Sequence, residues 1–137
     1  MGLDDTYGAY VDIAPGSTLA ISNAMSLFGL HRRLRGALMG HLAAFEATSS
    51  VPCRRFAAGL RRVGFDDDAA LYFDEHIEAD AVHEQLAVRG VCAVMAESEP
   101  YMRRDIILGA VTCLKLEALS AHHLLTAWAQ EHRVAWR

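Results

Sequence analysis

The sequence lacks the features that define several common classes of protein. Its three cysteines are odd in number and widely spaced, with no CxxC pair, which favours reduced thiols in a cytoplasm over a disulfide framework. No GxSxG, P-loop or GxGxxG motif occurs, so nucleotide chemistry has no support. The formal net charge of -4 leaves no basic excess that would indicate a nucleic-acid partner.

Long apolar runs, strand patterns and targeting signals are missing as well. No apolar run reaches the roughly 18 residues of a membrane span, and the N-terminus has no secretory signal. We therefore expect a cytoplasmic protein that does not contact membranes. No segment alternates strictly between apolar and polar residues, so the expected fold is all-α. The 137 residues, 53% of them hydrophobic, suffice for a single helical domain over 1–137.

Helical periodicity covers most of the chain after an irregular lead-in at 1–16. Pro52 is expected in the first turn of a short helix that Ser50 caps and Gly64 ends. The aspartates at 66–68 are expected to begin a long helix. The predicted helices cover residues from about 17 to 29, 31 to 48, 50 to 64, 69 to 97 and 100 to 132.

The long helix carries the most informative motif, His76-x-x-x-Asp80-x-x-His83. At about 100° per residue, the three side chains share one face, in line with apolar positions such as Val91 and Val94. That face is expected to be buried, and a buried carboxylate beside two imidazoles needs a partner, for which a divalent metal is a suitable candidate. Alternatively, the three residues hydrogen-bond one another or face solvent, because HxxxDxxH alone often arises by chance.

Glu46 is a further candidate ligand. It follows Met39 and Leu42 by seven and four residues and so projects from the apolar side of its own helix. Carboxylates and histidines from facing helices converge in this way in bundle proteins that bind two irons. An exposed carboxylate near a helix end is the alternative interpretation.

Other polar residues are weaker candidates. His122 and His123, with Glu117 nearby, could form a second ligand pair, although adjacent histidines point about 100° apart. His31 and His41 lie near several arginines and are expected on a solvated helix surface. A basic patch could bind an anionic substrate or a carrier domain, or could simply be a solvated face: Arg54, Arg55, Arg61 and Arg62.

The spacing of Glu46, thirty residues before His76, together with the motif, resembles the heme-oxygenase-like diiron superfamily. Three segments in the same register are similar to a bacterial branch described as iron-containing redox enzymes: Leu30–Glu46, Arg61–Phe65 and Phe73–His76. The similarity runs through nearly the whole chain.

This resemblance implies a helical bundle that binds two non-heme irons and no heme. Such proteins activate dioxygen for N-oxygenation, C–C or C–N cleavage, or oxidative decarboxylation of a small organic substrate. The resemblance implies that Glu46 is a bridging carboxylate and that His76, Asp80 and His83 are the ligands of the C-terminal half.

The sequence departs from the family pattern at its start. The family takes a further glutamate and histidine from a helix upstream of everything present here, so we expect a bundle truncated on its N-terminal side. The apolar face left open is expected to favour a homo-oligomer. The alternative function is a non-catalytic helical self-association module that retains a partial metal site; heme binding through one axial histidine is a third, weaker possibility.

Overall fold

The computed structural model describes residues 2–129, apart from the side chain of Ala81. This part of the chain contains helices and turns and no strand, which confirms the all-α prediction. The predicted end of the last helix near His132 lies outside the described residues. The helices are α1 (Gly16–Leu30), α2 (Arg35–Arg62), α3 (Asp67–Gln85), α4 (Val94–Ser98) and α5 (Arg103–Ala129).

Shorter helical segments connect these elements. 3-10 turns at Arg32–Leu34 and Pro100–Met102 precede α2 and α5, and a π-helical segment, Leu86–Ala93, joins α3 to α4. Within residues 2–129, no helix combines the length and the apolar character that crossing a bilayer requires.

A tight turn makes α2 and α3 an antiparallel pair. Gly64 ends α2 with a φ of 92°, a conformation that glycine adopts without strain. Asp66 then caps α3, because its carboxylate accepts a hydrogen bond from the backbone N–H of Ala69 at 3.0 Å. The antiparallel arrangement brings the middle of α2 beside the C-terminal half of α3, where the candidate ligands lie.

Glycines allow α2 and α5 to approach until their backbones touch. A Cβ placed on Gly40 would lie 1.8 Å from the carbonyl oxygen of Ile106. A Cβ on Gly109 would lie equally close, at 1.8 Å, to the carbonyl oxygen of Ala37. Since no side chain fits between the two helices here, this crossing fixes their relative position.

The prediction of a helix boundary at Ser50 and Pro52 is wrong, because α2 continues through Pro52 to Arg62. Proline has no N–H for the carbonyl of Thr48, a loss that costs about 3 kcal/mol in a helix interior. Two buried residues beyond the proline, Cys53 and Ala57, continue the buried face of α2. Burial of this face offsets the local penalty and keeps the helix intact.

The π-helical segment was not predicted, and it changes which residues face inward. The apolar stripe was expected to include Val91 and Val94, yet both are exposed. Cys92 is buried instead, and Met95 is half-buried. An i to i+5 turn holds one more residue than the regular i to i+4 turn, so the inward positions move along the chain by one residue.

Candidate metal centre

Three of the four predicted ligands lie together between α2 and α3. Glu46, Asp80 and His83 each offer one ligand atom, and these atoms all lie within 4.8 Å of one another. We call this group the Glu46–Asp80–His83 cluster. It forms because the antiparallel helices place Glu46 of α2 opposite two residues that are separated by less than one turn on α3.

Asp80 is the buried member of the cluster. The residue is 2% exposed, and its Oδ2 accepts a hydrogen bond from the Ser49 hydroxyl at 2.5 Å. Among the described residues, this is the one hydrogen bond of the Asp80 carboxylate. Its Oδ1 lies 3.8 Å from Nδ1 of His83. A buried carboxylate requires more compensation than one serine supplies, so this position suits a bound cation.

His83 and Glu46 form the more open side of the cluster. The His83 side chain is 51% exposed and that of Glu46 is 20% exposed. Nδ1 of His83 lies 3.2 Å from Oε2 of Glu46, within hydrogen-bond distance. The expectation that this whole face of α3 is buried is therefore wrong for His83, because no described element covers the imidazole.

His76 lies apart from the cluster. Its Nδ1 is 2.6 Å from the carbonyl oxygen of Tyr72, and its ring lies 4.2 Å from the Tyr72 ring, measured between centroids. A carbonyl oxygen only accepts hydrogen bonds, so Nδ1 carries a proton, and in the neutral imidazole Nε2 has the lone pair. The imidazole thus retains one atom capable of binding a metal, and its role as a ligand stays a prediction.

The donor set of the cluster fits iron. Two carboxylates and one imidazole supply the oxygen and nitrogen ligands that Fe(II) accepts in proteins, as do Mn(II) and Zn(II). The three donors come from two helices that are packed against each other. The folded chain therefore brings the three donors close to one another, as a metal site requires.

A cavity of about 430 Å³ adjoins the cluster. It lies between α2, α3 and α5, and we call it the aromatic cavity. Ser49, which binds Asp80, is part of its wall, and so is Tyr72, which stacks on His76. Its lining residues are Phe45, Thr48, Ser49, Pro52, Cys53, Phe56, Tyr72, Phe73, Leu114 and Glu117.

A comparison with known families agrees with these observations. A sequence model of the family described as "Iron-containing redox enzyme" matches residues 1–118. The chain belongs to this family, within the heme-oxygenase-like superfamily. No curated protein and no solved structure gives a significant match. Membership in the iron-containing redox enzymes implies the use of iron and an oxidoreductase function.

The arginine patch contributes to the turn between α2 and α3. Arg61 binds Asp67 at 2.8 Å and Asp74 at 2.6 Å. The Arg61 guanidinium also lowers the pKa of Asp74. At least this member of the patch therefore has carboxylate partners within the chain.

His122 and His123 are both exposed, with ring centroids 6.1 Å apart, and neither belongs to the Glu46–Asp80–His83 cluster.

His41 is the polar residue that the sequence analysis placed wrongly. It was expected on a solvated surface, but it is 0% exposed, and neither ring nitrogen has a hydrogen-bond partner within the described structure. Its ring makes an edge contact with the ring of Phe28, with centroids 5.9 Å apart. Burial lowers the pKa of His41. Phe28 lies on another helix, α1, so the pattern of residues around His41 did not indicate its burial.

Proposed function

We propose that this chain holds non-heme iron at the Glu46–Asp80–His83 cluster and uses dioxygen to oxidise a small organic molecule bound in the aromatic cavity. The observation that supports the proposal is the convergence of the three ligand atoms within 4.8 Å in a member of the iron-containing redox enzymes. Iron bound there would supply dioxygen activation, which side chains alone do not provide. A second iron would need His76 and further donors.

Each residue of the cluster has a distinct task in this proposal. The buried Asp80 carboxylate provides a fixed negative charge, oriented by Ser49. His83 must carry its proton on Nε2, so that the lone pair of Nδ1 faces Glu46 and Asp80. Because the His83 side chain is half exposed, water can accept a hydrogen bond from Nε2 in that tautomer.

The walls of the aromatic cavity would hold the substrate. Most of its lining is apolar, and its volume of about 430 Å³ lies in the range that small-molecule sites occupy. Ser49, which donates a hydrogen bond to Asp80, is also part of this wall, so a molecule in the cavity would lie next to a residue that contacts the cluster.

Anaerobic loading with Fe(II), followed by exposure to air, tests this function. We expect between one and two irons per chain to remain after desalting, and an oxygen electrode should record dioxygen uptake faster than with the same Fe(II) free in buffer. A matched control is Asp74→Asn, which alters a carboxylate on the same helix outside the cluster. Iron that is lost completely on desalting would refute the proposal.

The second candidate function is a self-association module, and a stripe on α5 favours it. Large apolar side chains at helical spacing are exposed along this helix over about 30 Å. Exposed apolar stripes of this length are unfavourable in water unless a partner covers them. We propose a second copy of the chain as that partner. The stripe consists of Ile107, Val111, Leu114, Leu125 and Trp128.

Light scattering on wild type and variants tests the self-association. The double variant Ile107→Glu with Leu125→Glu should shift the mass from an oligomer to about 15 kDa, whereas Leu3→Glu should not. Leu3 is a suitable control because it is as exposed as Leu125, at 61%, but lies outside the helices. A wild-type protein that is monomeric at high concentration would contradict this proposal and leave the iron proposal standing.

A further inference from the structure

We infer that the aromatic cavity selects an organic cation, in particular a primary amine on a small apolar or aromatic body. This inference rests on the proposed function, because it names the class of substrate for that site. It comes from the chemistry of the cavity wall, which combines aromatic rings with a single carboxylate.

Aromatic rings make up much of the wall. Four aromatic side chains line the cavity, from α2 and α3. Phe56 and Phe73 have centroids 5.3 Å apart, and Tyr72 meets Phe73 edge to face at the same 5.3 Å. Ring faces attract cations through their quadrupoles, and this attraction strengthens where water is excluded. They also pack well against an apolar or aromatic ligand.

Glu117 supplies the charge that a cation needs. It lies on α5, is half-buried and lines the cavity beside Leu114. Within residues 2–129, no side chain forms a hydrogen bond or ion pair with its carboxylate, in contrast with Glu99, which binds Arg35 and Tyr101. A half-buried carboxylate without a cation is incompletely compensated, and an ammonium group in the cavity would supply the missing charge.

The rest of the cavity wall brings no positive charge, within the residues that the structure describes. Among residues 2–129, no lysine, arginine or histidine lines the cavity. The wall therefore favours a cationic ligand and opposes a carboxylate of the same size.

The larger cavity nearby does not share this character. It measures about 820 Å³ at the end of α2, and two arginines, Arg55 and Arg62, are among its lining residues. It shares Phe56 and Phe73 with the aromatic cavity, but no carboxylate lines it within the part of the chain that the structure describes. Of these two cavities, the smaller one has the negative charge that complements a cation.

Three probes of nearly equal size test the inference on metal-free protein. These are 2-phenylethylamine, 2-phenylethanol and 3-phenylpropanoate, measured at pH 7 by NMR titration with EDTA present. We expect the amine to bind at least tenfold more tightly than the alcohol, and the carboxylate to bind more weakly than both. The preference for the amine should shrink as salt is added, because screening weakens charge attraction.

Variants locate the binding. Glu117→Gln keeps the shape of the side chain and should reduce the preference for the amine about tenfold, whereas Glu75→Gln, on the exposed surface of α3, should leave it unchanged. The inference is wrong if the carboxylate binds as well as the amine, if no probe binds, or if Glu117→Gln retains the full preference. If Glu117→Gln does not fold, the selectivity and salt dependence of the wild type still decide the matter.

These outcomes are distinguishable from a failure of the proposed function. The binding experiment contains no iron, and the iron-loading experiment contains no amine. If the protein retains iron but shows no preference for the amine, the metal site stands and the proposed substrate class is wrong. Amine preference without iron retention would show a cation-binding cavity in a protein that lacks the proposed chemistry.

Discussion

The two halves of α2 contact the rest of the molecule in opposite ways. In the first half, Gly40 lies so close to Ile106 of α5 that a single added carbon would overlap the backbone. From Glu46, near its middle, into the second half, α2 borders a cavity and a polar cluster, and His83 opposite Glu46 is half exposed. The close crossing fixes α2, and the open half can therefore present polar groups without loss of the fold.

The largest expected effect is at the crossing. Gly40→Ala places a Cβ 1.8 Å from the Ile106 carbonyl oxygen, so the helices must separate. We expect the free energy of unfolding to fall by about 3 kcal/mol or more. Chemical denaturation followed by circular dichroism measures this change.

Gly59→Ala is the matched control on the same helix. Nothing lies within 4 Å of its added Cβ, and alanine is the better helix former, so we expect a gain of about 0.5–1 kcal/mol. Equal effects of the two substitutions would contradict the contrast between the two halves of α2.

The second prediction concerns the buried imidazole of His41. Both ring nitrogens are buried without a partner, so His41→Leu removes an uncompensated polar group and should stabilise the protein by about 1–2 kcal/mol at neutral pH. Urea denaturation at several pH values measures the effect. A loss of stability of the same size would show that a polar partner satisfies the ring.

The effect of His41 should grow with acidity. Burial lowers the pKa of His41 in the folded chain, so below about pH 6.5 the unfolded chain takes up a proton that the folded chain does not. Wild-type stability then falls as pH falls, until the pH passes the lowered pKa. His41→Leu should remove this contribution, which is at most about 1.4 kcal/mol per pH unit. An unchanged pH profile would contradict this prediction.

The smallest predicted effect is at Ser49. Ser49→Ala removes the hydroxyl that orients Asp80, and we expect the affinity for Fe(II) to fall about tenfold with little change in stability. Thr48→Ala is the control, because the Thr48 hydroxyl donates to the Ala44 carbonyl at 2.8 Å and not to the cluster. If both variants lose affinity equally, the orienting role of Ser49 is wrong.

The sequence was sufficient for the helical class and for the helix faces that carry Glu46, Asp80 and His83. Helical periodicity and the absence of alternating strands predict an all-α fold, and the structure confirms it. The i, i+3 spacing of Asp80 and His83 places them on adjacent turns of one face. The helical period of α2 places Glu46 on the same side of that helix as Met39 and Leu42. These features depend on local geometry, which neighbouring residues determine.

Features that depend on packing were beyond the sequence. The π-helical turn after Gln85 moves the inward position from Val91 to Cys92, and no residue type announces it. His41 is fully buried and its ring contacts Phe28 of α1, a contact between two helices that the local sequence around His41 does not specify. Pro52 lies inside a helix because burial of its neighbours outweighs its local preference.

Fe(II) affinity of Asp80→Asn, measured anaerobically against wild type, tests the central claim most directly. Asparagine keeps the size of the side chain and removes its charge, so the fold should persist while the affinity falls at least a hundredfold. Asp74→Asn changes a carboxylate on the same helix as Asp80 that binds Arg61 of α2, and this variant should retain wild-type affinity. Equal affinity of Asp80→Asn and wild type would contradict a metal site at the Glu46–Asp80–His83 cluster.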